Sequence, residues 1–246
     1  MYIGSKIEVL ERVDSSNSFL KNNNAIYPDG SIIIAKIQTE GRGRFSRKWI
    51  SDIKGNLYCS ILIKDTSWLD NLVNLPVFVS VMLRRTIVGI IGDEIGSLGF
   101  KWPNDLLVNG AKLSGILIES GNGFFVLGIG LNIMKAPEIN LAYKTTSLSA
   151  LFPENKGTEP VDFVHSFVGF YNRGIDTYLK SGFSHIREEW ETYCTHLNKK
   201  VDLNEGIDDN TRKETVLFKR LNDDGAAVVV DRSGKERVIY YGELSL

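Results

Sequence analysis

Two short apolar runs near the N-terminus have the pattern of buried β-strands. Residues 31–38 and 57–64 are rich in β-branched side chains and lie next to Gly, Pro or Asp. The segment between them, 39–56, is rich in Gly and Arg and shows no regular period. A connection of that length is usually functional. We therefore expect this loop to take part in binding.

Three later segments have the apolar spacing of helices. They cover 75–91, 160–179 and 184–197. The first lies in the best candidate for a membrane span, 72–92, but Asn74, Pro76, Arg84 and Arg85 interrupt that stretch. It falls short of the ~18 uninterrupted apolar residues that a span requires, so no contact with a membrane is expected.

An antiparallel meander is predicted between the first and second of these helices. Residues 99–119 contain two apolar runs on either side of Asn109-Gly110. This dipeptide favours a two-residue hairpin, because both turn positions need a positive φ. A strand over 124–133 extends the meander.

Beyond about residue 197 the chain changes to short strands separated by turn residues. The strands are predicted at 200–204, 214–221, 226–231 and 238–241. About 50 residues of this kind indicate a small barrel. We therefore divide the chain into a first domain, 1–196, and a second, 197–246.

Composition narrows the class of protein. The 246 residues are 43% hydrophobic and 24% charged, with a net charge of −1, which excludes disorder and a broadly basic surface. The first residues lack a secretion signal, so we expect a cytoplasmic protein. Cys59 and Cys194 are far apart and the three histidines are scattered. We predict reduced thiols and no metal-binding residues.

The loop carries a concentration of positive charge. Arg42, Arg44, Arg47 and Lys48 lie within seven positions, interleaved with glycines. Arginine suits a carboxylate or a phosphate, because its planar fork donates two parallel hydrogen bonds. A solvated basic turn and a contact to nucleic acid are the alternatives, and the loop lacks the spacing of a phosphate-cradling P-loop.

The meander carries a second group of candidates, Lys101-Trp-Pro-Asn-Asp105 and Lys112. A two-residue hairpin folds Lys112 back within reach of the sheet face that carries Asp105. The alternatives are structural: Trp102 and Pro103 as rigid packing, Asn104-Asp105 as a turn cap, and Lys112 as an edge lysine.

In their order along the chain, these motifs resemble those of the biotin protein ligase family. The series comprises Asp14-Ser-Ser-Asn17, Gln38…Gly41-Arg-Gly-Arg44…Arg47-Lys-Trp49, Lys101-Trp-Pro-Asn-Asp105, Lys112-Leu-Ser-Gly-Ile-Leu-Ile-Glu119 and Gly128-Ile-Gly-Leu-Asn132. The closing Gly242-Glu-Leu-Ser-Leu246 is similar to the end of the family's C-terminal barrel. Ser46 departs from the family, which commonly has glycine there. The first motif arrives so early that we expect the monofunctional form, without an N-terminal DNA-binding domain.

The resemblance implies an α+β fold. It consists of a mixed, mainly antiparallel sheet with helices on one face, similar to class II aminoacyl-tRNA synthetases, followed by an SH3-like β-barrel. The implied reaction uses biotin, ATP and Mg²⁺ to form biotinyl-5′-adenylate, and then transfers biotin to one lysine of a biotin carboxyl carrier domain. No nucleic-acid partner is expected, and a homodimer is possible. A lipoate or octanoate transferase is the nearest competing interpretation, and a nucleic-acid-binding module is the alternative from another class.

The resemblance also implies roles for individual residues. The catalytic set is Lys112 as an electrostatic stabiliser, Arg44, and Asp105 as acceptor of the lysine proton. The biotin-binding set is Ser15, Ser16, Asn17, Gln38, Arg42, Gly43, Arg44, Lys112 and Gly115. The ATP- and adenylate-binding set is Arg42, Arg44, Arg47, Trp49, Asn104, Lys112 and Asn132. Gly128, Gly130 and Tyr143 are further candidates for the adenine pocket.

Overall fold

The computed structural model describes residues 2–65, 73–92, 96–137, 143–153, 158–205 and 212–245. The helices are α1 Ser16–Asn23, α2 Asn74–Ile91, α3 Leu148–Leu151, α4 Pro160–Ser181 and α5 Ser184–Thr192. The first seven strands are β1 Ile7–Leu10, β2 Ile32–Ala35, β3 Leu57–Ile63, β4 Leu98–Lys101, β5 Asp105–Val108, β6 Ala111–Ser120 and β7 Phe125–Leu131. The last five are β8 Lys200–Glu205, β9 Arg212–Leu221, β10 Ala227–Val230, β11 Glu236–Ile239 and β12 Glu243–Ser245.

The first seven strands form one mixed sheet in the order β1-β2-β3-β7-β6-β5-β4. β1 and β2 are parallel, and the other neighbours are antiparallel. The predicted hairpin is confirmed: Asn109 and Gly110 join β5 to β6 with φ values of 50° and 78°. β6 then pairs with the whole of β7, from Ser114 to Ser120. The predicted mixed α+β architecture is thus present.

Helices pack on both faces of this sheet, so the expectation of helices on one face was wrong. Side chains alternate along β3, which sends Ile61 and Ile63 into the large core with α2 and α4. Leu62 points the other way and packs with Leu20 of α1 in a second cluster. The short α1 was not predicted, because few of its residues are apolar.

Among the described helices, α2 is the one long and apolar enough to cross a membrane by length and composition. However, 61% of it is buried inside the protein, as in the core helix of a soluble protein. Its polar residues contact other parts of the protein or are buried in it. Asn74 is buried, Arg84 lies over the Tyr193 ring, and Arg85 forms an ion pair with Glu189.

The last five strands form an antiparallel sheet in the order β11-β10-β9-β8-β12. α5 ends at Thr192, five residues before its predicted end. Helical bonding stops there because the next residues pair with β4 instead: Phe100 N–H donates to Tyr193 O, and Thr195 N–H donates to Phe100 O. This short bridge leads the chain from the first sheet to the second.

Candidate functional site

A cleft of about 860 Å³, including space open to solvent, lies on the α1 face of the seven-stranded sheet. Thirteen of the fourteen predicted site residues line it: Ser15, Ser16, Asn17, Gln38, Arg42, Gly43, Arg44, Arg47, Trp49, Asn104, Asp105, Lys112 and Gly115. The fourteenth, Asn132, lines a smaller recess that shares Trp49, Lys112 and Tyr143 with the cleft. The fold thus brings together motifs that are up to 117 positions apart (132 − 15).

One end of the cleft is a buried polar pocket at the start of α1. Ser15 caps the helix, its side chain accepting from Ser18 N–H. Gln38 Oε1 accepts from Ser16 N–H at 2.7 Å and from Ser16 Oγ at 2.9 Å. Ser15, Ser16 and Asn17 are each 4% exposed. The pocket therefore presents hydroxyl and amide groups that are shielded from bulk water.

Glu119 connects this pocket to the cationic loop. Its carboxylate accepts from Asn17 Nδ2 at 2.7 Å and from Arg42 Nη2 at 3.3 Å. Arg42 Nη2 also donates to Ser18 Oγ at 2.9 Å. Arg42 therefore points towards the polar pocket. Sequence reasoning did not select Glu119; its sole signal was its place at the end of the 112–119 motif.

Residues 41–49 of the loop fold back on themselves. Trp49 N–H donates to Gly41 O at 2.9 Å, and Gly43 N–H donates to Arg47 O at 2.7 Å. Phe45 adopts a left-handed φ of 54° at the tip, and its ring packs beside the Arg44 guanidinium. The side chain of Ser46, where the sequence departs from the family, lies outside the described part of the structure.

The cleft floor is bare backbone where Gly115 of β6 pairs with Gly130 of β7. The indole of Trp49 lies against both: a methyl group added at Gly130 would be 2.4 Å from the ring, and one at Gly115 would be 3.2 Å from it. Gly128 makes similar room for Asn17, whose Oδ1 would be 2.6 Å from an added methyl group. Glycine is needed at these positions because side chains would displace what packs there.

Lys112 and Asp105 form an ion pair within the cleft. The Nζ to Oδ1 distance is 2.7 Å, and the side chains are 16% and 12% exposed. This is the contact expected from the Asn109-Gly110 hairpin. Lys112 Nζ also lies 5.4 Å from the ring centres of Trp49 and Tyr143, at distances typical of cation–π contacts.

The amide of Asn104 is engaged by the neighbouring strand. Its Nδ2 donates to Ile116 O at 2.6 Å, while Ile116 N–H donates to Asn104 O at 3.0 Å. These two bonds tie the β4–β5 connection to β6. Asn104 therefore lies in the cleft wall and fixes the turn before Asp105.

The C-terminal sheet contributes to the same cleft through Glu243. Its carboxylate pairs with Arg47 at 2.6 Å and with Lys101 at 3.1 Å. Arg44 Nη1 donates to the neighbouring Gly242 O at 3.0 Å. Two of the four loop cations are thus tied to the C-terminal segment. Sequence reasoning missed Glu243, since nothing in the pattern places it near the loop.

The ionisation of Glu243 and Arg44 reflects this partial burial. Burial alone would raise the pKa of Glu243, but the hydrogen bond from Arg47 and the charge of Lys101 lower it to about 2. Burial lowers the pKa of Arg44, opposed by the nearby carboxylates of Asp105 and Glu243. An arginine remains charged nonetheless, so the cleft keeps a positive charge beside Asp105.

Asn132 places an unsatisfied acceptor in the smaller recess. The residue is 2% exposed, and its Nδ2 donates to Thr146 O at 3.0 Å. Its buried Oδ1 has no hydrogen-bond partner among the described residues. A buried acceptor of this kind is costly unless a ligand supplies a donor.

No group of three or more His, Cys, Asp or Glu side chains that could hold a metal occurs within the described ranges. Burial raises the pKa of Cys59 and of Cys194 to about 12. Both are free thiols, and a thiol with so high a pKa is a poor nucleophile.

Comparison with known proteins shows the family to which the chain belongs. Residues 9–133 match the biotin/lipoate A/B protein ligase family. A biotin–[acetyl-CoA-carboxylase] ligase of Paracoccus denitrificans is 27% identical over 93% of this chain and 95% of its own. The bifunctional ligase/repressor BirA of Bacillus subtilis is 29% identical over 97% of this chain and 72% of its own.

A solved structure extends the similarity to the whole fold. The biotin protein ligase from Aquifex aeolicus in complex with biotin and ATP superposes with a TM-score of 0.82 and 26% identity, covering 98% of each chain. The family match includes the polar pocket, the cationic loop, the Lys112–Asp105 pair and Asn132. This chain belongs to the biotin/lipoate A/B protein ligase family.

Proposed function

We propose that this chain catalyses the ATP-dependent biotinylation of one lysine on a biotin carboxyl carrier domain, through a biotinyl-5′-adenylate. The observation that carries the proposal is one continuous cleft with a buried polar pocket at one end. The Lys112–Asp105 ion pair lies within this cleft, and the Asn132 recess adjoins it. The polar pocket matches the ureido ring of the intermediate, the ion pair matches its reacting carboxyl and phosphate groups, and the recess matches its adenine.

The polar pocket favours biotin over lipoate. A ureido ring offers one carbonyl acceptor and two N–H donors, whereas the dithiolane ring of lipoate offers neither. Ser15, Ser16, Asn17 and Gln38 supply complementary groups in a pocket shielded from water. A ligand without polar groups would leave them desolvated and unpaired, which is a strong basis for rejection.

The first step joins two anions, since the biotin carboxylate attacks the α-phosphate of ATP and pyrophosphate leaves. Lys112 is the cation best placed to stabilise the developing charge, with Arg44 nearby, because fixed charge in a sheltered cleft needs no reorganisation during reaction. We propose that Mg²⁺ enters as part of the ATP substrate, held mainly by phosphate oxygens.

The recess beside Lys112 suits adenine. We propose that Asn132 Oδ1 accepts from the 6-amino group of the purine, while Trp49 and Tyr143 flank the ring. The unsatisfied buried acceptor supports this assignment. Arg47, Gly43 and the Asn104 wall would border the sugar and phosphate.

In the second step the acceptor lysine attacks the carbonyl carbon of the adenylate, forming an amide bond as the C–O bond to AMP breaks. The attacking amine must lose a proton. Asp105 is the proposed acceptor, because its carboxylate lies in the cleft, 2.7 Å from Lys112.

We also propose the finer architecture implied by the sequence resemblance. Residues 1–196 would form the catalytic domain, similar to class II aminoacyl-tRNA synthetases. Residues 197–246 would form an SH3-like barrel from the five-stranded sheet. The protein would work in the cytoplasm, without a nucleic-acid or membrane partner, and the exposed edge of β1 would offer a surface for a homodimer.

The test is a direct labelling assay. The chain is mixed with MgATP, a carrier domain, and equal amounts of biotin, lipoate and octanoate, and the modified lysine is identified by mass spectrometry. We expect biotin on a single carrier lysine. Labelling with lipoate or octanoate instead would overturn the substrate assignment, and the absence of any label would overturn the proposed function.

A further inference from the structure

His196 is a buried polar side chain at the junction of the two sheets, and the proposed reaction does not use it directly. It is 1% exposed and lies between α5 and β8. Its imidazole stacks on Phe218 of β9, with ring centres 5.1 Å apart and planes at 26°. A buried polar ring requires a hydrogen-bond partner, which offsets the free-energy cost of removing the ring from water.

That partner belongs to the segment that carries Asp105. His196 Nε2 accepts from Trp102 N–H at 3.3 Å. The proton of the neutral ring must then reside on Nδ1, which lies 3.3 Å from Thr195 Oγ1 and 3.6 Å from Cys194 Sγ. Thr195 Oγ1 in turn donates to Phe100 O at 3.0 Å. This chain of contacts fixes both the tautomer and the orientation of the imidazole.

The imidazole stays neutral under ordinary conditions. Burial, together with the nearby charges of Lys101 and Lys199, lowers the pKa of His196 to about 3. A protonated ring would carry a hydrogen on Nε2 and could not accept from Trp102. Burial thus keeps the acceptor available throughout the neutral range.

Residues 101–105, the catalytic turn, are held from two sides. On one side, two residues from the C-terminal part of the chain bind Trp102. His196 accepts from its backbone N–H, and Gly225 O accepts from its indole Nε1 at 3.2 Å. On the other side, Asn104 is bonded to Ile116 of β6. Asp105 follows immediately and meets Lys112 at 2.7 Å.

We propose that His196 is a positioning residue for the catalytic turn. By accepting the hydrogen bond from Trp102 N–H, it holds Asp105 at ion-pair distance from Lys112. The inference rests on the proposed function, since it assigns His196 to the chemistry of that site. His196 acts through Trp102 and touches no substrate. Misplacement of reacting groups by about 1 Å can cost about 100-fold in rate, so a loosened turn has a measurable consequence.

The test compares His196→Phe with His196→Gln. Phenylalanine retains an aromatic ring for Phe218 but leaves Trp102 N–H without its acceptor, whereas a glutamine carbonyl can accept that bond. Biotin transfer to the carrier domain, which includes the step assigned to Asp105, gives kcat and KM, and the burst of biotinyl-adenylate counts competent sites. His185→Phe is the matched control, because the buried ring nitrogens of His185 have no hydrogen-bond partner within the part of the chain that the structure describes.

We expect His196→Phe to lower kcat about 10-fold or more per competent site, with KM for biotin unchanged. The polar pocket that binds biotin lies at the α1 end of the cleft, away from the lost bond. His196→Gln should recover kcat to within about threefold of the wild type, and His185→Phe should match the wild type.

Three results would overturn the inference: a His196→Phe kcat within about threefold of the wild type, a His196→Gln kcat as low as that of His196→Phe, or a parallel rise in KM for biotin. If His196→Phe yields no folded protein, Thr195→Val replaces it. That change removes the nearer of the two groups beside Nδ1, the other being Cys194 Sγ at 3.6 Å, and should also lower kcat; an unchanged kcat overturns the inference. An inactive wild-type chain overturns the proposed function itself, which separates the two failures.

Discussion

Replacing Lys112 with methionine removes the ammonium charge and keeps the length of the side chain. In the proposed first step this ammonium stabilises negative charge that develops between a carboxylate and a phosphate. Loss of one fixed, sheltered charge of this kind typically costs about 3–4 kcal/mol of transition-state stabilisation, or about 10²–10³ in kcat. We therefore expect adenylate formation by Lys112→Met to fall by that factor.

The same substitution has a stability cost that the structure allows us to bound. The Lys112 and Asp105 side chains are 16% and 12% exposed. Their ion pair is therefore intermediate between an exposed pair, which contributes about 0.5 kcal/mol, and a fully buried pair, whose disruption costs about 4 kcal/mol. We expect Lys112→Met to lower the free energy of unfolding by about 2 kcal/mol, because Asp105 loses its ion-pair partner. Adding Asp105→Asn should restore about half of this loss.

Pyrophosphate exchange measures the catalytic effect, and urea unfolding followed by circular dichroism measures the stability effect. Lys36→Met is the control, since Lys36 pairs with Glu11 at an exposed position outside the cleft, and it should change neither quantity. Adenylation within tenfold of the wild type would refute the electrostatic role of Lys112. A double variant no more stable than Lys112→Met would refute the ion-pair reasoning.

Four further predictions concern the rest of the cleft. Arg44→Ala breaks the bond to Gly242 O and should release biotinyl-adenylate into solution, detectable by chromatography; full retention of the adenylate would contradict this. The folded pKa of Glu243 is about 2 against an ordinary 4.5, so its stabilisation is complete above about pH 4.5 and is lost as the pH falls towards 2. Glu243→Gln should therefore lose less stability than the wild type across that window in acid unfolding. Asn17→Ala should raise KM for biotin about tenfold and leave KM for ATP unchanged, and Asn132→Ala should do the reverse; equal effects on both substrates would count against the two-ended cleft.

The hairpin shows what local sequence can predict. Asn109-Gly110 determines a turn type, and the turn pairs Leu107 with Lys112, which carries Lys112 back towards Asp105. The register then shifts between Leu106 and Leu107, so that Asp105 pairs with Gly115. Each step depends on neighbours in the chain, so the contact could be expected before the structure was seen. The long helices α2 and α4 were predictable for the same reason, since their apolar spacing is strong and continuous.

Contacts across the fold could not be predicted in this way. Glu243 meets Arg47 only because β12 pairs with β8 at the edge of a different sheet. In the sequence His196 was one of three scattered histidines, and its bond to Trp102 depends on how the chain passes from one sheet to the other. Helix α1 was missed because Ser, Asn and Lys dominate it, and its one fully buried leucine, Leu20, gives no periodic signal.

The glycine floor has a consequence for inhibitors of the cleft. A compound that takes the place of the Trp49 indole across Gly115 and Gly130 would rest on backbone atoms, which substitution cannot remove. The simplest route to resistance, a larger residue at either position, would push a methyl group to within 2.4 Å or 3.2 Å of the Trp49 indole. Such a change would displace the cationic loop as well as the drug. The floor is therefore the part of the cleft where resistance would most directly impair the protein's own activity.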